Sequence, residues 1–204
     1  NFGDLNNDGY PDYYIGTGAP NFQSIVPNRM FLNRESNKVY EVTFGGGFGH
    51  LQKGHGIAFA DFDNDGDQDI YNVLGGAYES DVFQNAFYLN PGFDANWISI
   101  DLEGTTSNKS AIGARIAISG MSSTGDSLRV YSTVGTGGSF GASSLRQEIG
   151  LGQMQSITSV RIHWPSGLTQ EISNAKKNTI IKIIEGSEDY QLLNLRKLDF
   201  EQDQ

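Results

Sequence analysis

The 204-residue sequence contains no cysteine, which excludes disulfide frameworks, thiolate zinc sites and cysteine nucleophiles. No apolar run approaches the roughly 18 residues needed to span a bilayer, so we expect no membrane span in this chain. Positive charge is scarce, because 14 Lys and Arg stand against 24 Asp and Glu, for a net charge of −10. That balance argues against nucleic acid and anionic lipid as partners.

What is present is a series of short β-branched and aromatic runs separated by Gly, Asn and Asp, which is typical of an all-β protein with tight turns. The predicted strands are 13–15, 29–32, 39–44, 57–62, 70–74, 86–89, 97–102, 114–119, 127–133, 160–164 and 179–184. A short helix is expected only over 190–198, where leucines recur at helical spacing.

One internal repeat dominates the first half of the chain. Residues 3–12 (GDLNNDGYPD) are echoed 57 positions later by residues 60–69 (ADFDNDGDQD), and both copies lead into a predicted strand. A period of roughly 40–60 residues with several short strands per unit is typical of β-propeller blades. The chain begins without Met and close to the first copy, which predicts that it is part of a longer protein, truncated at its N-terminus.

These patterns predict a division of the chain into two all-β parts and a tail. Residues 1–92 form a repeat region of about one and a half propeller blades, and residues 96–186 form a small β-sandwich or barrel-like domain. Residues 91–95 (PGFDA) are interpreted as the linker, because Pro91 and Gly92 do not easily continue a central strand. Residues 187–204 are the C-terminal tail.

Both copies of the repeat fit the pattern D-x-D/N-x-D-G-x-x-D, whose alternate oxygens can converge on one cation. Calcium takes about six to eight oxygen ligands in flexible geometry, and zinc is disfavoured because neither loop offers nitrogen or sulfur. We therefore predict two Ca²⁺ sites, with carbonyl ligands at Tyr10 and Asp67 and side-chain ligands elsewhere. The ligands are Asp4, Asn6, Asp8, Tyr10 and Asp12 in the first loop and Asp61, Asp63, Asp65, Asp67 and Asp69 in the second.

Two other interpretations of the loops are weaker. Asn-Asp-Gly clusters also form ordinary hairpin turns, but turns do not need acids at positions 1, 5 and 9 of two copies in the same register. An EF-hand expects a bidentate Glu at position 12 and flanking helices. Position 12 is Ile15 in one copy and Asn72 in the other, and strands are predicted on both sides.

The loops, with the sequence GHGIAFAD at 54–61 leading into the second, resemble FG-GAP/VCBS-type repeats, which form calcium-bearing propeller blades. The second half resembles the ASPIC/UnbV domain, which follows such repeats in bacterial surface proteins and in cartilage acidic protein. The matching stretches are 96–97 (NW), 107–108 (SN), 111–115 (AIGAR), 150–152 (GLG) and 164–167 (WPSG). Residues 137–144 depart from the pattern of that domain, so its ligand specificity is not carried over.

The resemblance and the residues together predict a secreted or cell-surface module that binds calcium and recognises an extracellular protein or glycan. No catalytic residue is predicted, because the acids lie mainly in the two loops and the three histidines lack recognisable partners. Phe140, in a loop rich in Gly and Ser, is the candidate ligand-binding residue. The alternatives are a fragment of a calcium-dependent extracellular hydrolase or lyase, with its active site in missing blades, and a structural spacer.

Overall fold

The computed structural model describes residues 1–34, 38–76, 78–138 and 140–200, which form fifteen β-strands. Within those ranges there is no helix, and therefore none long and apolar enough to cross a membrane. The all-β prediction is confirmed, and every predicted run overlaps a strand. The strands are β1 (Phe2–Gly3), β2 (Asp12–Ile15), β3 (Arg29–Arg34), β4 (Lys38–Glu41), β5 (Gly54–Ala60), β6 (Asp69–Leu74), β7 (Ala86–Tyr88), β8 (Asn96–Glu103), β9 (Arg115–Ser122), β10 (Ser127–Thr133), β11 (Gln147–Gly152), β12 (Met154–His163), β13 (Thr169–Ile172), β14 (Ile180–Ile184) and β15 (Tyr190–Leu192).

The first seven strands form two blade-like antiparallel sheets. One sheet has the order β1-β2-β3-β4 and the other has the order β5-β6-β7, so each is a meander of strands adjacent in sequence. Alternate residues of both sheets enter one buried cluster that includes Tyr14, Met30, Phe59 and Ile70, each with no exposed surface. In each sheet a repeat loop joins two strands, β1 to β2 and β5 to β6.

The remaining strands form a sandwich of two four-stranded sheets. Their orders are β10-β9-β12-β13 and β11-β8-β14-β15, with β14 parallel to β8. A second buried cluster lies between the sheets and is rich in isoleucine, for example Ile98, Ile116, Ile162 and Ile181. The period-2 pattern of β9, with Ile116 and Ile118 buried and Arg115 exposed, explains why these runs form strands with one buried face.

The predicted helix over 190–198 is wrong. Tyr190–Leu192 instead forms β15, which pairs with β14 through Ile181↔Leu192 and Ile183↔Tyr190. The leucine spacing suits a helix in isolation, but β14 presents a row of backbone donors and acceptors on that side, and pairing satisfies them. After β15 the chain continues without regular structure to Phe200 and reaches the second repeat loop.

Candidate metal centre

The second repeat loop brings three carboxylates together. Asp61, Asp63 and Asp65 each offer one oxygen, and these oxygens lie within 4.8 Å of one another. Asp61 and Asp63 are buried, with 4% and 7% of their surface exposed. Positions 1, 3 and 5 of the motif therefore converge, as their spacing predicts.

Backbone hydrogen bonds hold this loop in a tight curl. The Asp65 amide donates to Asp61 Oδ1 at 3.0 Å, and the Gly66 amide donates to Asp61 Oδ2 at 3.2 Å. Gly66 has φ +102, and a Cβ at this position would also overlap the Trp97 indole. Gly66 thus meets two requirements at once, a left-handed backbone and a close approach by an aromatic ring.

The first loop repeats this geometry residue by residue. The Asp8 and Gly9 amides donate to the two oxygens of Asp4 at 3.0 and 2.8 Å, and Gly9 has φ +88. The side chains of Asn6 and Asp8 meet, because Asn6 Nδ2 donates to Asp8 Oδ2 at 3.0 Å. Two copies 57 residues apart therefore fold into the same oxygen-lined loop.

The ninth position of each loop has a different environment from the first, third and fifth. Asp69 accepts the amides of Asn90 at 2.8 Å and Phe62 at 3.1 Å, one on each oxygen. Asp12 does the same with the amides of Leu5 and Asn33, both at 2.8 Å. These carboxylates tie their loop to the neighbouring chain, and Asp69 is outside the three-carboxylate group.

Position 7 of the motif also differs between the two loops. Tyr10, predicted to contribute a carbonyl, has a side chain 37% exposed. The Asp67 side chain accepts a hydrogen bond from Asn7 Nδ2, which also donates to the Gly66 carbonyl at 3.1 Å. Asn7 thus links the two loops directly across 59 residues of sequence.

Burial makes the negative charge of the loops costly. It raises the pKa of Asp4, Asp12 and Asp69 to about 7, and neighbouring carboxylates add to the rise. For Asp63 and Asp67, burial and then repulsion from Asp65 raise the pKa to about 6. Groups this close and this dehydrated favour either protons or a bound cation.

The donor set fits calcium. In the second loop the converging atoms are carboxylate oxygens, and in the first loop the Asp4 carboxylate is held by the same pair of backbone amides. Hard cations prefer such ligands, and Ca²⁺ tolerates flexible geometry better than Mg²⁺ does. The residues present thus fit the ion that the motif predicts, most clearly at Asp61, Asp63 and Asp65.

Sequence reasoning missed the residues that join the second loop to the sandwich. Arg146 lies 3.7 Å from Asp61 Oδ2 and 3.3 Å from Glu148 Oε1, so a guanidinium partly offsets the buried charge. Gln68 accepts the Asp4 amide at 2.6 Å and donates to Glu148 at 3.0 Å. These partners lie about 80 positions from the loop, and no local pattern marks them.

A second acidic centre, also missed, lies in the sandwich at Glu185. Its carboxylate accepts the backbone amides of Thr105, Thr106 and Ser107 at 2.7–2.8 Å and the hydroxyls of Ser107 and Ser166 at 2.8 and 2.5 Å. Burial alone would raise the pKa of Glu185, but the hydrogen bonds from Ser166 and residues 105–107 outweigh it and lower the pKa to about 2. This carboxylate ties together two loops of the sandwich.

The predicted recognition residue, Phe140, is 87% exposed. It borders an open cavity of about 640 Å³ that Phe2, Tyr13 and His55 also line. Phe2 is 64% exposed, and its ring centroid lies 5.9 Å from that of Tyr13. The structure therefore places four aromatic residues beside one recess, Phe2, Tyr13, Tyr14 and Phe140.

The three histidines have no carboxylate partner among the ion pairs of the described residues. His55 Nε2 contacts the Gly75 carbonyl at 2.6 Å, and His163 Nδ1 contacts the Thr169 hydroxyl at 3.0 Å. His50 Nδ1 accepts the Gln52 amide at 3.0 Å. Each ring nitrogen named here thus has a hydrogen-bond contact within the fold.

Two family models match the chain. Residues 2–71 match the FG-GAP-like repeat, and residues 104–189 match the ASPIC and UnbV family. Both the families and their order agree with the resemblance found in the sequence, which is confirmed. FG-GAP-like repeats are typical of extracellular proteins. A comparison with curated proteins found no match.

Proposed function

We propose that this chain, in which FG-GAP-like repeats precede an ASPIC/UnbV domain, is a calcium-stabilised, non-catalytic recognition module of a secreted or cell-surface protein. The observation that carries the proposal is the pair of loops with the same amide-to-carboxylate geometry. In the second, the oxygens of Asp61, Asp63 and Asp65 lie within 4.8 Å of one another. We assign one Ca²⁺ to each loop.

Calcium in this proposal has a structural role. The chain lacks cysteine, and each loop joins two strands of a small sheet whose cluster of buried residues is limited. Neutralising several buried carboxylates removes their repulsion and fixes the positions of the strands on either side. The ions thus take the stabilising part that disulfides have in many extracellular domains.

Recognition is assigned to the recess beside Phe140. The partner is an extracellular protein or glycan, because exposed aromatic rings around an open cavity can stack on a sugar face or accept an apolar side chain. Phe140 lies on a loop between β10 and β11, and loops on a rigid β-scaffold commonly carry binding residues.

The test measures the binding of the Phe140→Ala variant and of the wild type to a panel of glycans and matrix proteins. We expect binding to weaken about ten-fold or more, as for a central aromatic contact. The melting temperature should change by less than about 2 °C, because the side chain is on the surface. Phe44→Ala is the matched control, since Phe44 is also 75% exposed but does not line the recess.

Three results would contradict the assignment. Equal binding by the Phe140→Ala variant and the wild type would show that the recess is not the recognition surface. Turnover of a glycan or ester in a parallel hydrolase and lyase panel, dependent on an Asp outside both loops, would replace recognition by the enzyme alternative. A protein that neither binds nor turns over any probe would favour a structural spacer.

We also propose that the boundary between the two parts falls between Asn90 and Trp97. β7 and β8 belong to different sheets, and the two buried clusters share no residue. Asn90 is buried and donates to the Leu5 carbonyl at 2.7 Å, whereas Phe93 is 46% exposed. The exposed part of the segment that connects β7 to β8 therefore lies after Asn90.

Limited proteolysis in calcium is expected to cut the chain near Phe93 and to leave a folded fragment that begins close to Asn96. Mass spectrometry identifies the cut, and circular dichroism shows whether the purified fragment keeps its β structure. A fragment that is unfolded once separated would mean that the sandwich needs the repeat region and that the boundary is misplaced.

A further inference from the structure

The C-terminal tail lies directly on the second repeat loop. The Leu198 amide donates to the Asp63 carbonyl at 2.8 Å, and Asn64 Nδ2 donates to the Arg196 carbonyl at 3.1 Å. The Phe200 ring meets the Phe87 ring edge-on, with centroids 5.5 Å apart. Residues 196–200, here called the clasp, thus contact both the backbone of the loop and the adjacent strand β7.

The clasp also places a cation on a predicted calcium ligand. Lys197 Nζ lies 3.2 Å from Asp65 Oδ2, while the other oxygen of Asp65 accepts the Asp67 amide at 3.0 Å. The Asp65 side chain is only 17% exposed, so this ion pair is screened less than one between two fully exposed groups. Lys197 therefore supplies positive charge to the acidic cluster when no metal is bound.

Within the described residues, no ion pair places a cation on the first loop. Among the ion pairs of the described residues, Arg146 and Lys197 reach Asp61 and Asp65, but none reaches Asp4 or Asp8, which hold the equivalent positions. The two loops share their backbone geometry and differ in this external charge. Lys197, which belongs to the clasp, is one of the two cations that distinguish the second loop.

We propose that Lys197 and Ca²⁺ compete for the carboxylate of Asp65, so that calcium binding at the second loop releases the clasp and exposes the surface beneath it. This inference rests on the proposed calcium site at Asp61 to Asp69. A divalent ion and an ammonium that share one carboxylate repel each other, and the ion lowers the attraction that holds Lys197 in place.

Release has a consequence for the surface of the protein. Phe87 and Phe62 meet edge-on at 5.5 Å, and Phe200 covers part of Phe87. When the clasp leaves, Phe87 becomes more exposed beside Phe62, next to the filled calcium loop. Calcium binding at the second loop thereby increases the exposure of an aromatic surface on β7.

The first measurement compares metal affinity in the wild type and in Lys197→Gln. Tb³⁺ serves as the probe, because the Trp97 indole lies against Gly66 and can sensitise terbium luminescence at the second loop. Calcium is then titrated against bound Tb³⁺. Loss of the competing ammonium is expected to raise calcium affinity about two- to five-fold, the range for partly exposed ion pairs.

Lys109→Gln is the matched control, because it removes the same charge from a lysine that is 84% exposed and pairs with Glu103 instead. It should leave affinity at the second loop unchanged. Equal calcium affinity in Lys197→Gln and the wild type would overturn the competition while leaving the calcium site intact. Absence of terbium and calcium binding in both proteins would instead overturn the proposed site and the inference together.

The second measurement follows the clasp itself by hydrogen exchange of the Leu198 amide. In EDTA this amide is held by the Asp63 carbonyl, and we expect calcium to accelerate its exchange several-fold in the wild type. Lys197→Gln should exchange faster than the wild type already in EDTA. Slower exchange on adding calcium would mean that the ion fastens the clasp, and it would overturn the proposal.

Discussion

Adding calcium to the metal-free protein is expected to raise its melting temperature by about 7–14 °C. Extracellular calcium modules bind with dissociation constants of roughly 0.1–1 mM. At about 2 mM free calcium and the tight end of that range, each site adds about 1.8 kcal/mol to the free energy of unfolding. Two sites together add about 3.6 kcal/mol, and in a protein of this size each kcal/mol shifts the midpoint by about 2–4 °C. Melting curves in EDTA and in calcium measure the shift.

Two substitutions in the second loop separate metal binding from local structure. Asp65→Ala removes a proposed side-chain ligand and should abolish about half of the calcium shift. Asp67→Ala should retain most of it, because only the backbone carbonyl of Asp67 is proposed to bind the ion. It removes both a buried charge and the hydrogen bond that Asp67 accepts from Asn7, so we expect its effect on the melting temperature to be similar in EDTA and in calcium. Identical melting in EDTA and calcium would rule out the structural role of the metal.

The stability of the metal-free protein is expected to fall as the pH rises from about 4 to about 7. Burial raises the pKa of Asp4, Asp12 and Asp69 from 3.8 to about 7, so the folded state holds protons that the unfolded state releases. Below pH 3.8 both states are protonated and the difference vanishes, whereas above pH 7 the folded state carries the full cost of buried charge. Calcium binds the ionised carboxylates and should therefore reverse the trend, with affinity rising through pH 6–7.

Glu185 has the opposite effect on the pH dependence of stability, and its effect appears at acidic pH. Its pKa in the folded state is about 2, against an ordinary value of 4.5, so its stabilising effect is complete above pH 4.5 and is lost as the pH falls towards 2. Thermal melts in EDTA should consequently show a maximum near pH 4 to 5. Glu185→Gln should lower the midpoint at pH 4.5 and above and flatten the decline below it. A midpoint that rises steadily from pH 4 to pH 8 in EDTA would contradict the electrostatic account of the loops.

The sequence alone predicts the convergence of Asp61, Asp63 and Asp65 in the second repeat loop, because these residues lie within five positions of one another. Over so short a distance, local features determine most of the geometry of the loop. These features are a glycine that turns the chain and oxygen atoms on alternate residues. Gly66 has the left-handed backbone that this argument requires, and Asp61, Asp63 and Asp65 converge. The β-branched runs likewise predict most strands, since the burial of alternate side chains is a local property of an extended chain.

The tertiary structure decides what surrounds those loops. Arg146, Glu148 and the clasp residue Lys197 reach the second loop from 80 or more positions away, and their contacts depend on how the sandwich packs against the blades. The same is true of β15, where pairing with β14 overrides a leucine spacing that favours a helix. Local spacing determines which oxygens can share a cation. Only the packing of distant strands determines which charges compete for them, because electrostatic interactions depend on distance in space and not along the chain.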